Sequence, residues 1–196
     1  MNRRDFLKLG GAAAAVPVVG TPGVLAAEGA AAPEGAVQEP ARAVAVCGSF
    51  DVVVCGGGPA GVAAAVSSAR KGARTLLLEQ HGCGGGIWTS GLLSWLLDCD
   101  NKTGVMAEIM QRMKDSGART FTAAGKPTNA YDVEVMKLAL ETLCEAAGVE
   151  VRYHTRAAAA VKADGRLTHV ITESKSGREA VAGAAFVDAT GDGDLG

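Results

Sequence analysis

Three glycines near residue 60 have the spacing of a site that binds phosphate groups. Gly56, Gly58 and Gly61, within "GGGPAG", satisfy the pattern G-x-G-x-x-G. In this pattern the first glycine permits a sharp turn out of a strand, the second lets a pyrophosphate approach the backbone, and the third lets a helix pack closely on the strand. Backbone N–H groups and the positive end of the helix dipole then bind the phosphates. The spacing predicts a dinucleotide site.

The elements around these glycines are those that such a site needs. The apolar run 51–55 predicts a strand buried on both faces of a parallel sheet. Residues 59–71 predict a helix that ends at Gly72, and residues 75–78 predict a second strand. Glu79 follows that strand about 20 residues beyond the first glycine, where an acidic side chain binds ribose hydroxyls and disfavours NADP. A glycine turn without a nucleotide is the alternative, and the motif alone leaves FAD and NAD open.

Two further helices are predicted downstream of a glycine-rich loop. One covers residues 104–115, where apolar residues recur at four-residue spacing. A polar loop through Lys126 and Pro127 separates it from the second helix. That helix has Asp132 as its N-cap, an apolar stripe along one side, and an end at Gly148.

The last third of the chain predicts strands. Residues 149–155 alternate as a strand, and the segments 157–162 and 167–173 flank the hairpin signal "ADGR". A final strand over residues 180–188 leads into a tail of glycines and aspartates. The predicted fold is α/β: a Rossmann-like domain with a parallel sheet and an inserted β-meander.

The N-terminal 27 residues predict an export signal. "RRDFLK" resembles the twin-arginine signal pattern "RRxFLK", and small residues near positions 24–27 suit a signal peptidase. A basic amphipathic N-terminus or a membrane anchor is the alternative. Pro17 and Pro22 interrupt the apolar run, which disfavours a stable membrane span. We therefore expect the twin-arginine export machinery as a partner, and a periplasmic or extracellular location.

Residues 28–49 are rich in Ala, Pro, Glu and Gly and predict a linker. The end of this stretch, residues 41–46, could pair as a short edge strand. The remaining residues, 50–196, are enough for one domain.

The composition excludes some classes of function. The chain has 196 residues, of which 48% are hydrophobic and 20% charged, as in soluble globular proteins. A net charge of −2 gives no electrostatic reason to expect nucleic acid. The five cysteines include no C-x-x-C pair, which argues against a zinc ribbon or a thioredoxin-type couple. Cys55 and Cys144 lie on predicted apolar faces and are expected in the core.

The order of these motifs resembles a known family. "DVVVCGGGPAGVAAA", "LLLEQ", "GCGGGIWTSG", the meander and "FVDATGDGDL" together resemble FAD-dependent oxidoreductases with a flavin domain of the glutathione-reductase type. The resemblance covers about residues 45–196. It is specific for the cofactor, FAD, and not for the substrate.

The resemblance implies a role for each matching position in binding FAD. Gly56, Gly58 and Gly61 would hold the pyrophosphate, and Glu79 the adenosine ribose. The other implied contacts are Gly85 and Gly86 beside the pyrophosphate and ribityl chain, Thr89 and Ser90 nearer the isoalloxazine, Ala157 at adenine through its backbone, and Thr190, Gly191 and Asp192 as the second wall of the site.

Several residues could carry other chemistry. His81 follows Glu79 and could lie near the cofactor or carry a covalent flavin link, although the spacing of covalently flavinylated families is not met. Cys83 could be redox-active, but a partner cysteine at short spacing is absent. His154 and His169 lie in predicted strands, where a structural position is favoured. The acidic residues Asp98, Asp100, Asp192 and Asp194, with Asn101, do not have the spacing of a calcium loop, so no metal site is predicted.

The expected function is flavin-mediated hydride or electron transfer between a small-molecule substrate and an unknown electron acceptor. The resemblance implies a substrate domain beyond "GDGDL", so the chain is expected to be an incomplete N-terminal fragment, and no catalytic acid or base is named. Two alternatives stay open: a truncated flavin-binding fragment without turnover, and a NAD-binding dehydrogenase module.

Overall fold

The computed structural model describes residues 35, 37, 39–121 and 123–195. The predicted signal, residues 1–27, and most of the predicted linker lie outside these described residues. The fold given below is that of the unit that starts at Arg42.

The predicted strand–helix–strand unit forms the centre of the sheet. Strand β1 (Val46–Cys55) leads through the glycine turn into helix α1 (Pro59–Arg70) and then into strand β2 (Thr75–Leu78). The two strands pair in parallel, with Val53 opposite Leu76. Their apolar runs are almost fully buried, as expected of strands covered on both faces.

The main sheet contains six strands in the order β5-β2-β1-β8-β7-β6. The other four strands are β5 (Glu150–Arg152), β6 (Arg156–Ala163), β7 (Arg166–Ser174) and β8 (Gly177–Asp188). Strands β6, β7 and β8 form the antiparallel meander, and β8 pairs in parallel with β1. The carboxyl ends of β1, β2 and β8 therefore meet at one edge of the sheet, where ligands bind in folds of this kind.

The two further helices pack with α1 in one apolar cluster that includes Val54 and Leu77 of the sheet. Helix α2 (Val105–Asp115) and helix α3 (Val133–Ala147) lie where the apolar spacing predicts them. The Asp132 carboxylate accepts hydrogen bonds from two N–H groups of the first turn of α3, which confirms the predicted N-cap. Gly148 ends this helix in the left-handed conformation.

Two sequence-based expectations about strands are wrong. Strand β1 begins at Val46, so residues 46–49 belong to the strand and not to the linker. The expected edge strand over 41–46 is not present, because β1 itself is central and pairs with β8 from Val46 onward. The apolar run 51–55 predicts only the second half of this strand, which is its more buried half.

A short hairpin replaces the expected polar loop between α2 and α3. Strand β3 (Arg119–Phe121) pairs with β4 (Pro127–Tyr131) in a separate two-stranded sheet. Polar residues dominate these strands, so their pattern resembles a loop. Their pairing is supported by tertiary contacts, such as the bridge between Trp95 and Ala130.

Candidate cofactor-binding cleft

A cleft of about 580 Å³ opens at the carboxyl ends of β1, β2 and β8. This volume lies within the usual range for sites that bind a small molecule. Eight of the sequence-predicted residues line it: Gly56, Gly58, Glu79, Gly86, Ala157, Thr190, Gly191 and Asp192.

The glycine turn forms the floor of the cleft, and two of its positions accept only glycine. Gly56 has a positive φ of 98°, and an added Cβ there would overlap the carbonyl oxygen of Ala189. An added Cβ at Gly61 would overlap the carbonyl oxygen of Gly56. Gly61 does not line the cleft, so its function is to let α1 pack against the end of β1.

Gly58 differs from the other two glycines because its missing side chain faces open space. Its φ is −64°, and an added Cβ would meet nothing within 4 Å. Gly58 is the N-cap of α1, no side chain caps the helix, and Pro59 takes the first helical position. The first N–H groups of the helix thus lie beside an open, side-chain-free surface. This arrangement fits the pyrophosphate of a dinucleotide.

Glu79 connects the end of β2 to the glycine turn. Its side chain is only 4% exposed yet lines the cleft. The Gly57 N–H donates to Oε2 at 2.7 Å, and the His81 N–H donates to Oε1 at 2.7 Å. Each carboxylate oxygen keeps a further lone pair. Glu79 therefore fixes two loops and can still accept a hydroxyl hydrogen bond from a ligand.

The second glycine loop packs behind the first. The Gly85 N–H donates to the Gly57 carbonyl at 2.7 Å, and an added Cβ at Gly85 would lie 2.6 Å from Cγ2 of Thr89. The Thr89 hydroxyl is fully buried and donates to the Gly84 carbonyl at 2.7 Å. Gly86 lines the cleft, whereas Gly85 and Thr89 lie behind it and stabilise the loop.

The start of the meander forms another wall. Thr155, Arg156 and Ala157 all line the cleft, and the Thr155 N–H donates to the backbone oxygen of Glu79 at 2.9 Å. The sequence singled out Ala157 of these three. Sequence reasoning missed Arg156.

The tail loop after β8 is organised by a residue that sequence reasoning also missed. Asp188 Oδ1 accepts hydrogen bonds from the N–H and the hydroxyl of Thr190, and Asp188 Oδ2 accepts one from the Leu195 N–H at 3.0 Å. The Thr190 hydroxyl oxygen in turn accepts from the N–H groups of Gly193 and Asp194. An aspartate with a threonine two residues later is a readable turn signal.

Substitution Asp188→Asn is expected to loosen this loop. Desolvation works to raise the pKa of Asp188, but the hydrogen bonds from Leu195 and Thr190 outweigh it and hold the pKa below its ordinary value of 3.8. A depressed folded-state pKa stabilises the fold above the unfolded pKa, and the contribution is lost as the pH falls through the folded pKa. The wild type should therefore melt at a higher Tm than the variant at neutral pH, and the difference should shrink in acid. Equal Tm values at neutral pH would contradict this role.

The histidines and Cys83, for which the sequence left other chemistry open, do not lie together in the structure. His81 lines the cleft beside Glu79, whereas His154 lies at a surface turn with a positive φ of 52° and His169 lies in β7. The Cys83 sulfur lies 3.4 Å from the Ser90 hydroxyl, and neither residue lines the cleft.

The predicted core cysteines are buried thiols. Burial and then the charge of Asp188 raise the pKa of Cys55 to about 12. Burial and then the charge of Glu141 raise the pKa of Cys144 to about 11. Both thiols are protonated at neutral pH and are part of the core, as expected.

Two family models match the chain. The model for FAD dependent oxidoreductases covers residues 51–196, and the model for the twin-arginine translocation signal covers residues 1–20. The second match confirms the predicted export signal. Over the described residues, every helix is too short or too polar to cross a bilayer.

Curated relatives match shorter parts of the chain. A thiamine thiazole synthase of Methanococcus vannielii is 54% identical over 43 residues, or 21% of this chain and 16% of that protein. An alkyl hydroperoxide reductase component of Pseudomonas putida is 34% identical over 90 residues, or 46% of this chain and 15% of that protein. The chain thus matches only a small part of each relative's length.

Solved structures share the fold over most of the chain. A myxobacterial chondrochloren halogenase, an FAD-dependent enzyme, matches with a TM-score of 0.57 and 22% identity, over 72% of this chain and 37% of the halogenase. THI4 of Thermovibrio ammonificans matches with a TM-score of 0.52 and 19% identity, over 75% of this chain and 60% of that one. These likenesses concern the fold.

The comparisons confirm the predicted α/β fold, the predicted cofactor and the predicted oxidoreductase class. The family match includes β1 from Asp51, the glycine turn, Glu79 and the tail loop, which are the parts that enclose the cleft. The chain belongs to the FAD dependent oxidoreductase family.

Proposed function

We propose that residues 50–196 bind FAD in the cleft and support redox chemistry on a small organic substrate outside the cytoplasm. The observation that carries this proposal is the composition of the cleft wall. It combines an uncapped helix N-terminus, the side-chain-free surface at Gly58, and a buried carboxylate, Glu79, with free lone pairs. These are the features that hold a pyrophosphate and a ribose.

The proposed roles of the residues follow from their positions. The N–H groups at the start of α1 bind the pyrophosphate beside Gly58. Glu79 accepts hydrogen bonds from ribose hydroxyls, and the backbone at Ala157 contacts adenine. Thr190, Gly191 and Asp192 form the opposite wall, and Asp188 is the residue that holds this wall in place.

Bound FAD would supply the redox chemistry, the uptake of a hydride or electrons from the substrate and their transfer to an acceptor. The residues of this chain bind and orient the cofactor. The chain spans 37% of the halogenase and 60% of THI4.

Uptake of flavin by the purified protein tests the proposal. The chain without its signal would be incubated with FAD, desalted, and scanned for flavin absorbance, and a parallel sample would receive NAD. We expect FAD to be retained in about equal molar amount. A protein that retains no flavin but binds NAD would contradict the proposal.

The proposed location outside the cytoplasm requires export through the twin-arginine signal. Changing Arg3 and Arg4 together to lysine should leave the precursor in the cytoplasm, whereas the same kind of change at the exposed Arg166 should not. Cell fractionation with an antibody against the chain measures this, and also separates a periplasmic from an extracellular location. Normal export of the double variant would contradict the twin-arginine route.

A further inference from the structure

The segment 87–97, directly after the second glycine loop, exposes several large apolar side chains. Their exposed fractions range from 40% to 72%. Clustered apolar side chains on a protein surface mark binding sites. We call this set the apolar platform; it consists of Ile87, Leu92, Leu93, Trp95 and Leu97.

The platform is held in place by hydrogen bonds to β4. The buried Tyr131 hydroxyl lies 2.8 Å from the backbone oxygen of Trp88 and 2.7 Å from that of Leu93, and it donates its single hydrogen to one of them at a time. The Leu96 N–H donates to the backbone oxygen of Asn129 at 2.9 Å, and the Leu96 side chain is 1% exposed. Because Leu96 is anchored in the core, the backbone of this segment is fixed, and the fold itself leaves the neighbouring apolar side chains exposed.

Backbone strain supports the same conclusion. Leu92 has a φ of 58°, in the left-handed region that branched and bulky residues rarely adopt. Strain of this kind costs stability and is found mainly at functional sites. At Leu92 it accompanies a side chain that is 71% exposed, where the apolar group contributes little to the core.

The platform begins at the cofactor cleft. Ile87 lines the cleft itself. The Leu93 N–H donates to the Ile87 carbonyl at 3.0 Å, and an added Cβ at Gly91 would lie 2.8 Å from Cα of Ile87. The chain therefore folds back on Ile87, and the backbone at Gly91 and Leu93 lies directly against the platform residue that lines the cleft.

We propose that the apolar platform is the substrate-binding wall beside the cofactor and that it accepts a flat, uncharged ring system, aromatic or polycyclic. This inference rests on the proposed function. The segment 87–97 contains no charged residue, so it offers nothing to pair with an ionic substrate group. Trp95 provides an aromatic face for stacking, and the leucines provide apolar area.

Naphthol, a flat apolar ring compound, is the probe for a test on the FAD-loaded chain. It would be titrated while the spectrum of the bound flavin is followed, with glycerol as a polar control. The variant is Leu92→Asn with Leu97→Ser, since asparagine tolerates the left-handed backbone. The matched control is Leu138→Ser, at a residue that is 63% exposed on α3 and outside the platform.

We expect naphthol, but not glycerol, to shift the flavin spectrum saturably. Its Kd should rise about tenfold or more in the platform variant, because two leucine contacts are lost. It should stay unchanged in Leu138→Ser, and the FAD affinity should be equal in all three proteins. An equal naphthol response in wild type and platform variant would overturn the inference, as would a wild-type dimer that the platform variant converts to monomers. A chain that takes up no FAD would contradict the proposed function and this inference with it. The FAD titration distinguishes that outcome from a chain that binds FAD but does not respond to naphthol.

Discussion

Gly58→Ala is expected to lower the affinity for FAD by about 100-fold while leaving the fold intact. The added methyl group would meet no protein atom within 4 Å, and the φ of −64° suits alanine. It would instead fill the surface that a phosphate approaches and displace charge-assisted hydrogen bonds, each worth about 1.5–3 kcal/mol. Calorimetric titration with FAD and a thermal melt of the apoprotein measure the two quantities.

The apoprotein of this variant should keep its stability within about 1 kcal/mol, because a weaker N-cap and a stiffer unfolded chain act in opposite directions. The matched change is Gly61→Ala, whose methyl group overlaps the Gly56 carbonyl oxygen. That variant should be destabilised by about 1–3 kcal/mol or more, as in other overpacked positions. If both variants bound FAD like the wild type, the glycine turn would not be the phosphate site.

Glu79→Ala should reduce both stability and FAD affinity. The N–H groups of Gly57 and His81 would lose their acceptor, and Gly57 is buried. A buried donor without a partner costs about 1–3 kcal/mol, and each kcal/mol lowers the Tm of a domain of this size by about 2–4 °C. Loss of the ribose contacts should weaken FAD binding by a further factor of roughly 10 to 100. Thermal melts and FAD titrations separate the two effects.

Two companion variants make this prediction specific. In Glu79→Gln one of the two N–H groups would face the amide NH₂ group, so both losses should be intermediate. Glu145→Ala, at an exposed position on α3, should change neither quantity. A Glu79→Ala protein with a lower Tm but an unchanged Kd for FAD would contradict the ribose-binding role and leave Glu79 as a residue that only fixes the loops.

The centre of the fold follows from local sequence signals. The strand before Gly56, the helix after it, and β2 ending at Glu79 each have a clear period or apolar run, and the structure places them as predicted. The Asp132 cap and the end at Gly148 are likewise local signals. The core of the cleft could be predicted because its residues are adjacent to these elements in the chain.

The remaining parts depend on contacts that spacing does not encode. The family resemblance implies that Thr89 lies near the cofactor, but its hydroxyl is directed to the Gly84 carbonyl behind the cleft wall. The hairpin of β3 and β4 is polar and short, and it is supported by the backbone of the segment 87–97, as in the bond from Leu96 to Asn129. The first half of β1 is less apolar than its second half, so only its pairing with β8 identifies it as a strand.

The central claim is that FAD occupies the cleft beside Gly58 and Glu79. The most direct measurement is a titration of FAD, followed by quenching of flavin fluorescence, with the wild type and Gly58→Ala side by side and with NAD as a competitor. We expect saturable one-to-one quenching by the wild type, no displacement by NAD, and an affinity about 100-fold lower for the variant. Equal quenching by both proteins, or displacement of FAD by NAD, would contradict the claim.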